Sequence, residues 1–174
     1  MIEKEYKFFV DKDKFGEVAE HAGQNLKQKK DVIQTNHYFD TPELSLHKQN
    51  ITLRVRQIDD KYVFQKKTHG AASGSLLTSA EEERPINELP DRLKLDGHTY
   101  ALQGGMTTHR KSYVLSNVSQ LDLDENLYSG VVDYEIEIET DDPDDTALLD
   151  FISRFRLDDY PPNKNKAARF FEKP

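Results

Sequence analysis

The chain has 174 residues, 36% of them hydrophobic and 32% charged, and this length suits one domain spanning residues 1–174 with a single core. The formal net charge of −8 argues against nucleic-acid binding through a basic face, and the absence of cysteine excludes disulfides and thiolate metal sites. No run of about 18 apolar residues occurs, so the sequence predicts no signal peptide and no membrane span, and we expect a cytoplasmic protein.

Alternation of apolar and polar residues predicts eight strands, accompanied by helices. In chain order, the predicted elements are a strand at 2–9, a helix from Asp11 to Ala22, strands at 31–39, 50–58, 61–68 and 79–86, a weaker helix at 87–95, strands at 107–115, 118–124 and 130–139, and helices at 144–157 and 163–172. Eight antiparallel strands with helices outside indicate an α+β, mainly β fold. We expect an eight-stranded antiparallel closed barrel, or two sheets curled towards one.

The connections between these elements carry recognisable signals. Asp59-Asp60 and Glu125-Asn126 are typical of hairpin turns, and the small residues at 69–75 predict a mobile loop. Asp142 or Asp144 is expected to cap the helix at 144–157. The basic helix at 163–172 is expected to seal one mouth of the barrel.

Charged side chains repeat on one face of many of these strands. In the first strand, Glu3, Glu5 and Lys7 share a face. The same alternation gives shared faces to Arg54 and Arg56, to Gln65 and Lys67, to Glu81 and Glu83, to Thr108, Arg110 and Ser112, to Asp122 and Asp124, and to Asp133, Glu135, Glu137 and Glu139. Any one of these faces is ordinary for a solvated antiparallel sheet. Taken together they favour the barrel interior, because like charges at alternate positions repel each other and have no value on a surface.

A charged interior of this composition suits a particular ligand. Buried charges are tolerated when they are paired or bound to a metal. Carboxylates hold Mg²⁺ or Mn²⁺ through oxygen, whereas Arg and Lys hold phosphate oxygens. The mixture of acids and bases therefore indicates a polyphosphate bound together with a divalent metal ion.

Six segments, in chain order, match motifs of a known family. They are Glu3-x-Glu5-x-Lys7, Tyr38-Phe39-Asp40-Thr41, Leu53-Arg54-Val55-Arg56, the strand from Lys61 to Thr68, Leu121-Asp122-Leu123-Asp124 followed by Asp133 to Glu139, and Asn165-Lys166-Ala167-Ala168-Arg169. This series resembles the CYTH superfamily, the triphosphate tunnel metalloenzymes, and in particular its small stand-alone bacterial proteins of the YjbK type. Gln65 stands where a basic residue could strengthen phosphate binding, Asn165 replaces the usual Ser, and Glu82 competes with its neighbours for the inward position.

The resemblance implies a role for each matching residue. Glu3 and Glu5 would be catalytic. The residues implied to bind the phosphates of the substrate are Lys7, Arg54, Arg56, Lys67, Arg110 and Lys166. The residues implied to face Mg²⁺ or Mn²⁺ are Glu3, Glu5, Glu81, Glu83, Asp124, Glu135, Glu137 and Glu139. Arg169 would form only a structural ion pair.

The expected activity is hydrolysis of a small-molecule triphosphate, either inorganic tripolyphosphate or an organic compound such as thiamine triphosphate or a nucleotide. One alternative is a class IV adenylate cyclase, which releases pyrophosphate from ATP and requires a pocket for adenine. Another is a module that binds polyphosphate or phosphorylated ligands without turnover. A scaffold with solvated charged faces would bind no anion tightly.

Overall fold

The computed structural model describes residues 1–160 and 164–172. The strands are β1 (Ile2–Val10), β2 (Lys27–Asp40), β3 (Ile51–Ile58), β4 (Lys61–Ser73), β5 (Leu76–Ile86), β6 (Arg92–Leu95), β7 (His98–Val114), β8 (Ser119–Tyr128) and β9 (Val131–Thr140). The α-helices are α1 (Lys12–Asn25), α2 (Ser45–Lys48), α3 (Thr146–Arg154) and α4 (Lys166–Phe171), and a 3₁₀ turn spans Leu157–Asp159. None of these helices is both long enough and apolar enough to cross a bilayer.

Eight of the strands close into an antiparallel barrel. Their order is β2-β3-β4-β5-β1-β9-β8-β7, and pairing between β2 and β7 closes the ring. β6 pairs with the first part of β7 and extends the sheet beyond the barrel. The predicted fold class is therefore confirmed, with one strand more than the sequence indicated.

Two apolar clusters cover the outside of the barrel. The larger one buries the outward side chains of β1, β8 and β9 beneath α1 and α3, with Phe8, Leu123 and Ile136 against Val18 and Phe151. Asp11 caps α1 by accepting a hydrogen bond from the Lys14 amide at 2.7 Å. The outward side chains of these strands thus form the core, which leaves their inward side chains to line the interior.

The Tyr38-Phe39-Asp40-Thr41 motif organises the second apolar cluster. The Asp40 carboxylate accepts hydrogen bonds from the amides of Leu46 and His47, each at 3.0 Å, and so holds the short helix α2. Leu46 then packs with Phe39 and Leu53 on the outer face of β2 and β3.

Helix α4 closes one end of the barrel, as the sequence predicted. Its side chains Lys166 and Arg169 are buried, and the Phe170 ring lies 5.0 Å from the Tyr38 ring. Gly104 makes this close approach possible, because a Cβ at this position would lie 2.8 Å from Phe170 Cζ. Gly104 also has φ of +138°, a conformation that favours glycine.

Two sequence predictions about connections were wrong. The segment 69–75 is not a loop, since β4 continues to Ser73 and only the turn at Gly74 separates it from β5. The weak helix at 87–95 is instead a bend followed by β6, which pairs with β7. In both segments, pairing with a neighbouring strand outweighs the local preference of the residues.

Two further predictions misplaced the end of an element. The turn after β8 lies at Ser129-Gly130 rather than at Glu125-Asn126, because Asn126 points inward and donates hydrogen bonds to buried carboxylates. The cap of α3 is Asp145, which accepts a hydrogen bond from the Ala147 amide at 3.2 Å, rather than Asp142 or Asp144. The last predicted helix includes residue 163, which lies outside the described residues; α4 begins at Lys166.

Candidate active site in the barrel interior

The barrel interior holds a cavity of about 350 Å³ with charged walls. The predicted site residues that line it are Glu3, Glu5, Lys7, Arg54, Arg56, Lys67, Glu81, Glu83, Arg110, Glu137, Glu139 and Lys166. Asp124 and Glu135 are buried behind this lining. Glu82 is exposed on the outside, and the pairing of Glu81 with Lys67 and of Glu83 with Gln65 fixes the inward register of β5.

Three carboxylates converge on the ammonium group of Lys166. One oxygen each of Asp124, Glu135 and Glu137 lies within 4.8 Å of the other two, which is close enough for the three to surround one cation. The Lys166 Nζ atom lies 2.8 Å from Asp124 Oδ2 and 2.9 Å from Glu135 Oε1, and it also donates to Glu137. Burial would lower the pKa of Lys166, but these three acids outweigh burial and raise it. In this arrangement an ammonium occupies the centre of the acidic cluster.

Arg110 completes the neutralisation of this cluster. It donates from Nε to Asp124 Oδ1 at 2.7 Å and from Nη2 to Asp124 Oδ2 at 2.6 Å, a bidentate pair, and a third hydrogen bond reaches Glu137 at 3.0 Å. Burial alone would raise the pKa of Glu137, but Lys166, Lys7 and Arg110 hold it well below its usual value. Glu137 is therefore ionised, and both Asp124 and Glu137 are paired with bases.

Arg169 has the structural role that the sequence suggested. Its guanidinium donates to Asp133 at 2.9 Å and to Glu135 at 2.7 Å from within α4. The buried pair holds α4 in the end of the barrel.

The acids nearer the open end are in a different state. Glu139 forms no ion pair within residues 1–160 and 164–172, and burial together with Glu3 and Asp122 raises its pKa to about 7. Burial also raises the pKa of Glu3, although Lys67 lies 3.3 Å away and opposes the shift, and the neighbouring Glu81 adds to it. Carboxylates that repel each other in this way fit a hard divalent cation, which prefers oxygen ligands. These acids are better suited to a divalent cation than the Asp124 cluster, whose centre the Lys166 ammonium occupies.

The opposite wall lacks negative partners. Arg54 donates to Gln65 Oε1 at 2.7 Å and Arg56 donates to Asn36 Oδ1 at 3.0 Å; among the described residues, neither reaches a carboxylate. Burial lowers the pKa of Arg56 to about 9, and the charges of Arg54 and Arg110 add to this shift. Two guanidinium groups that lack acids are suited to bind an anion.

Sequence reasoning missed the contribution of β2 to the interior. Gln34, Asn36 and Tyr38 point inward, and Gln34 Nε2 and Asn36 Nδ2 are buried donors without a hydrogen-bond partner in the described chain. Their even-numbered spacing in the predicted strand at 31–39 was the available signal. It was overlooked because none of the three side chains is charged.

Comparison with known proteins identifies the family. The family model of the CYTH domain matches residues 1–171. The chain belongs to the CYTH family. A CYTH relative in Bacillus subtilis (strain 168), named "Putative triphosphatase YjbK", is 29% identical over 184 residues, which cover 98% of this chain and 95% of the relative.

Solved structures share the CYTH fold. HpAC1 from Hippeastrum, named a "putative adenylyl cyclase" with a dominant triphosphatase activity, superposes with a TM-score of 0.80 at 22% identity over 97% of this chain and 95% of its own. The Mimivirus capping enzyme triphosphatase superposes with a TM-score of 0.59 at 14% identity over 91% of this chain and 89% of its own. At these identities the likeness concerns the fold.

Proposed function

We propose that this CYTH protein hydrolyses triphosphates inside the barrel. The proposal rests on two walls that face each other across one cavity, because each wall carries charged side chains whose charge is not fully balanced. Among the described residues, Arg54 and Arg56 have no carboxylate partner and Glu139 has no cationic one, while Glu3 shares the ammonium of Lys67 with Glu5. A triphosphate bound with a divalent cation would complete both walls, and neither component alone would do so. The name of the Bacillus subtilis relative supports the same activity.

The binding roles follow from this opposition. Arg54 and Arg56 would hold phosphate oxygens through guanidinium nitrogens that have no acid partner. Lys7, Lys67, Arg110 and Lys166 would supply further positive charge, since all four line the same cavity. Glu3 and Glu139, with Glu5 and Glu81 beside them, would hold Mg²⁺ or Mn²⁺. When bound, the ion would neutralise part of the phosphate charge.

The chemical step would be attack by water on the terminal phosphorus. The bond between that phosphorus and the bridging oxygen breaks, and the products from tripolyphosphate are orthophosphate and pyrophosphate. Arg56 and Lys67 stabilise the charge that develops on the phosphate oxygens. Glu3, at the proposed cation site, accepts the proton of the attacking water as a general base.

The lining of the cavity favours an inorganic substrate. Among the residues that the structure places around it there is no Phe or Tyr, and the chain has no Trp. His69 is the one aromatic ring among these lining residues, and its Nε2 is hydrogen-bonded to Thr52, so stacking on a Phe, Tyr or Trp ring, a common way to hold a base, is unavailable. This composition favours tripolyphosphate over ATP and over thiamine triphosphate, and it favours hydrolysis over the adenylate cyclase alternative.

One assay tests the proposal. The protein is incubated with tripolyphosphate, thiamine triphosphate or ATP, in Mg²⁺, Mn²⁺ or EDTA, and orthophosphate, pyrophosphate and cyclic AMP are measured. We expect metal-dependent orthophosphate release, greatest with tripolyphosphate.

Glu3→Gln should lower kcat by about 10²–10⁴-fold, the usual contribution of a general base. Glu82→Gln, which changes the same side chain on the outer face of β5, should leave kcat unchanged. Cyclic AMP with pyrophosphate from ATP, or binding without turnover, would contradict the proposal.

The raised pKa of Glu139 predicts how metal dependence varies with pH. A proton must leave this carboxyl before it can bind a cation, so a pKa of about 7 should make the apparent metal affinity rise about tenfold between about pH 6 and pH 8. The stability of the metal-free fold should change with pH in the opposite direction. Because the pKa of Glu139 is higher in the folded than in the unfolded chain, its contribution to the free energy of unfolding falls as the pH rises from about 4.3 towards 7. The metal concentration for half-maximal hydrolysis, measured at both pH values, checks the first expectation. Glu139→Gln should flatten this dependence and Glu82→Gln should retain it; an equally steep dependence in Glu139→Gln would rule Glu139 out.

A further inference from the structure

The mouth of the barrel opposite α4 carries two lysines that the proposed triphosphate site does not use. Lys30 lines the interior cavity, and Lys29 lines an adjoining cavity of about 210 Å³. Gln120 and Glu139 line both cavities, so the two spaces adjoin at the mouth.

An irregularity in β2 aims both lysines at the mouth. In the pairing of β2 with β7, Gln28 is opposite Tyr113 and Lys30 is opposite Ser112, so Lys29 is an extra residue. Such a bulge turns a side chain away from the alternation of the strand. The Lys29 Nζ atom accordingly donates to the inward-facing Gln120 at 2.7 Å.

The two lysines continue the row of cations beyond the proposed triphosphate site. Val32 is opposite Arg110, and Lys30 lies one inward position further out, about 7 Å along the strand. Both lysines are exposed, and within the described part of the chain neither pairs with a carboxylate. Lys29 and Lys30 are therefore free to neutralise an anion that projects out of the barrel.

We propose that Lys29 and Lys30 form a subsite for additional phosphate groups, so that the barrel accepts linear inorganic polyphosphates longer than three phosphates. This inference rests on the proposed function of the interior. A chain made only of phosphate suits the mouth because, among the described residues of both cavities, no Phe or Tyr offers a stacking surface for a base. RNA with a 5′-triphosphate would use the same charges but would gain nothing from this lining.

A binding comparison that does not need turnover tests the subsite. Titration calorimetry in EDTA measures the Kd of tripolyphosphate, of tetrapolyphosphate and of a longer size-fractionated polyphosphate, for the full chain and for the double variant Lys29→Ala/Lys30→Ala. We expect the longer chain to bind tighter than tripolyphosphate, and the double variant to lose roughly tenfold in affinity for it, with a loss below about threefold for tripolyphosphate. Lys94→Ala, which removes an exposed lysine from β6, should change neither Kd.

The possible outcomes separate this inference from the proposed function. If tripolyphosphate is not hydrolysed in the earlier assay but the Kd values behave as expected, only the hydrolase proposal fails. If the longer chain binds no tighter than tripolyphosphate, or if the double variant weakens both equally, the subsite is wrong. Tighter binding of a 5′-triphosphorylated oligonucleotide than of the long polyphosphate, lost in the double variant, would also overturn it by identifying RNA as the occupant.

Discussion

Replacing Lys166 with methionine should destabilise the protein by about 3–5 kcal/mol, the usual cost of removing one member of a buried ion cluster. The substitution keeps the length and apolar stem of the side chain but removes the ammonium that Asp124, Glu135 and Glu137 share. Those three acids would then lie buried next to each other with less positive charge to balance them. Urea denaturation of the metal-free protein measures the loss, and triphosphate hydrolysis should fall with it.

A comparison at two pH values distinguishes lost charge pairing from lost packing. In the unsubstituted chain, the pKa of Glu137 lies well below its usual value, so its stabilising contribution is present above about pH 4.3 and declines as the pH falls. In Lys166→Met the unpaired acids should have raised pKa values, and the deficit in unfolding free energy should shrink from about pH 7 to pH 5. Lys12→Met, which alters the exposed first residue of α1, should have almost no effect. A deficit that is equal at both pH values would mean that packing, not charge, explains it.

The barrel could be predicted from sequence because its strands alternate in character with unusual regularity. Ile136 and Ile138 point out into the core beneath the helices, whereas Glu135 and Glu137 point in. A regular alternation fixes the register of a strand, because a slip by one residue would exchange the two faces. The same alternation also predicted which residues line the site, since the inward faces of the strands form the wall of the cavity.

The failures have two physical origins, the polar interior of the barrel and contacts between segments distant in sequence. In an ordinary protein a pair such as Glu125-Asn126 marks a turn because polar residues avoid the inside. In this barrel Asn126 is buried and bonded to Asp133 and Glu135, so the rule does not apply. The position of Lys166 depends on how a C-terminal helix enters the barrel, and no local pattern encodes that contact. The bulge at Lys29 likewise depends on pairing with β7.

Replacing Arg56 with glutamine should have the opposite effect on stability from Lys166→Met, although both residues line one cavity. Arg56 has no acid partner among the described residues, and burial and the neighbouring Arg54 and Arg110 oppose its charge. A glutamine at this position can still donate to Asn36. We therefore expect the unfolding free energy of the ligand-free protein to rise by about 0.5–2 kcal/mol, the usual gain when a strained functional group is removed.

The same substitution should reduce kcat/KM for tripolyphosphate by about 10²–10³-fold, because a guanidinium that holds phosphate oxygens is lost. A matched control is Arg84→Gln, since Arg84 is exposed on β5 and its guanidinium lies 4.6 Å from the centre of the Phe64 ring on the outer face. That variant should lose about 0.5–1 kcal/mol of stability and keep its activity. Arg56→Gln would thus gain stability and lose activity, whereas Arg84→Gln would lose stability and keep activity.

Adding tripolyphosphate should reverse the order of stability of the unsubstituted chain and Arg56→Gln. In EDTA, saturating tripolyphosphate stabilises whichever protein binds it, by an amount that grows with the ratio of its concentration to Kd. The unsubstituted chain should therefore become more stable than Arg56→Gln, because only the unsubstituted chain has both guanidinium groups to bind the phosphates. Thermal unfolding with and without tripolyphosphate measures both orders. If Arg56→Gln is the less stable protein in both conditions, Arg56 supports the fold, and its lack of an acid partner is not a sign of an anion site.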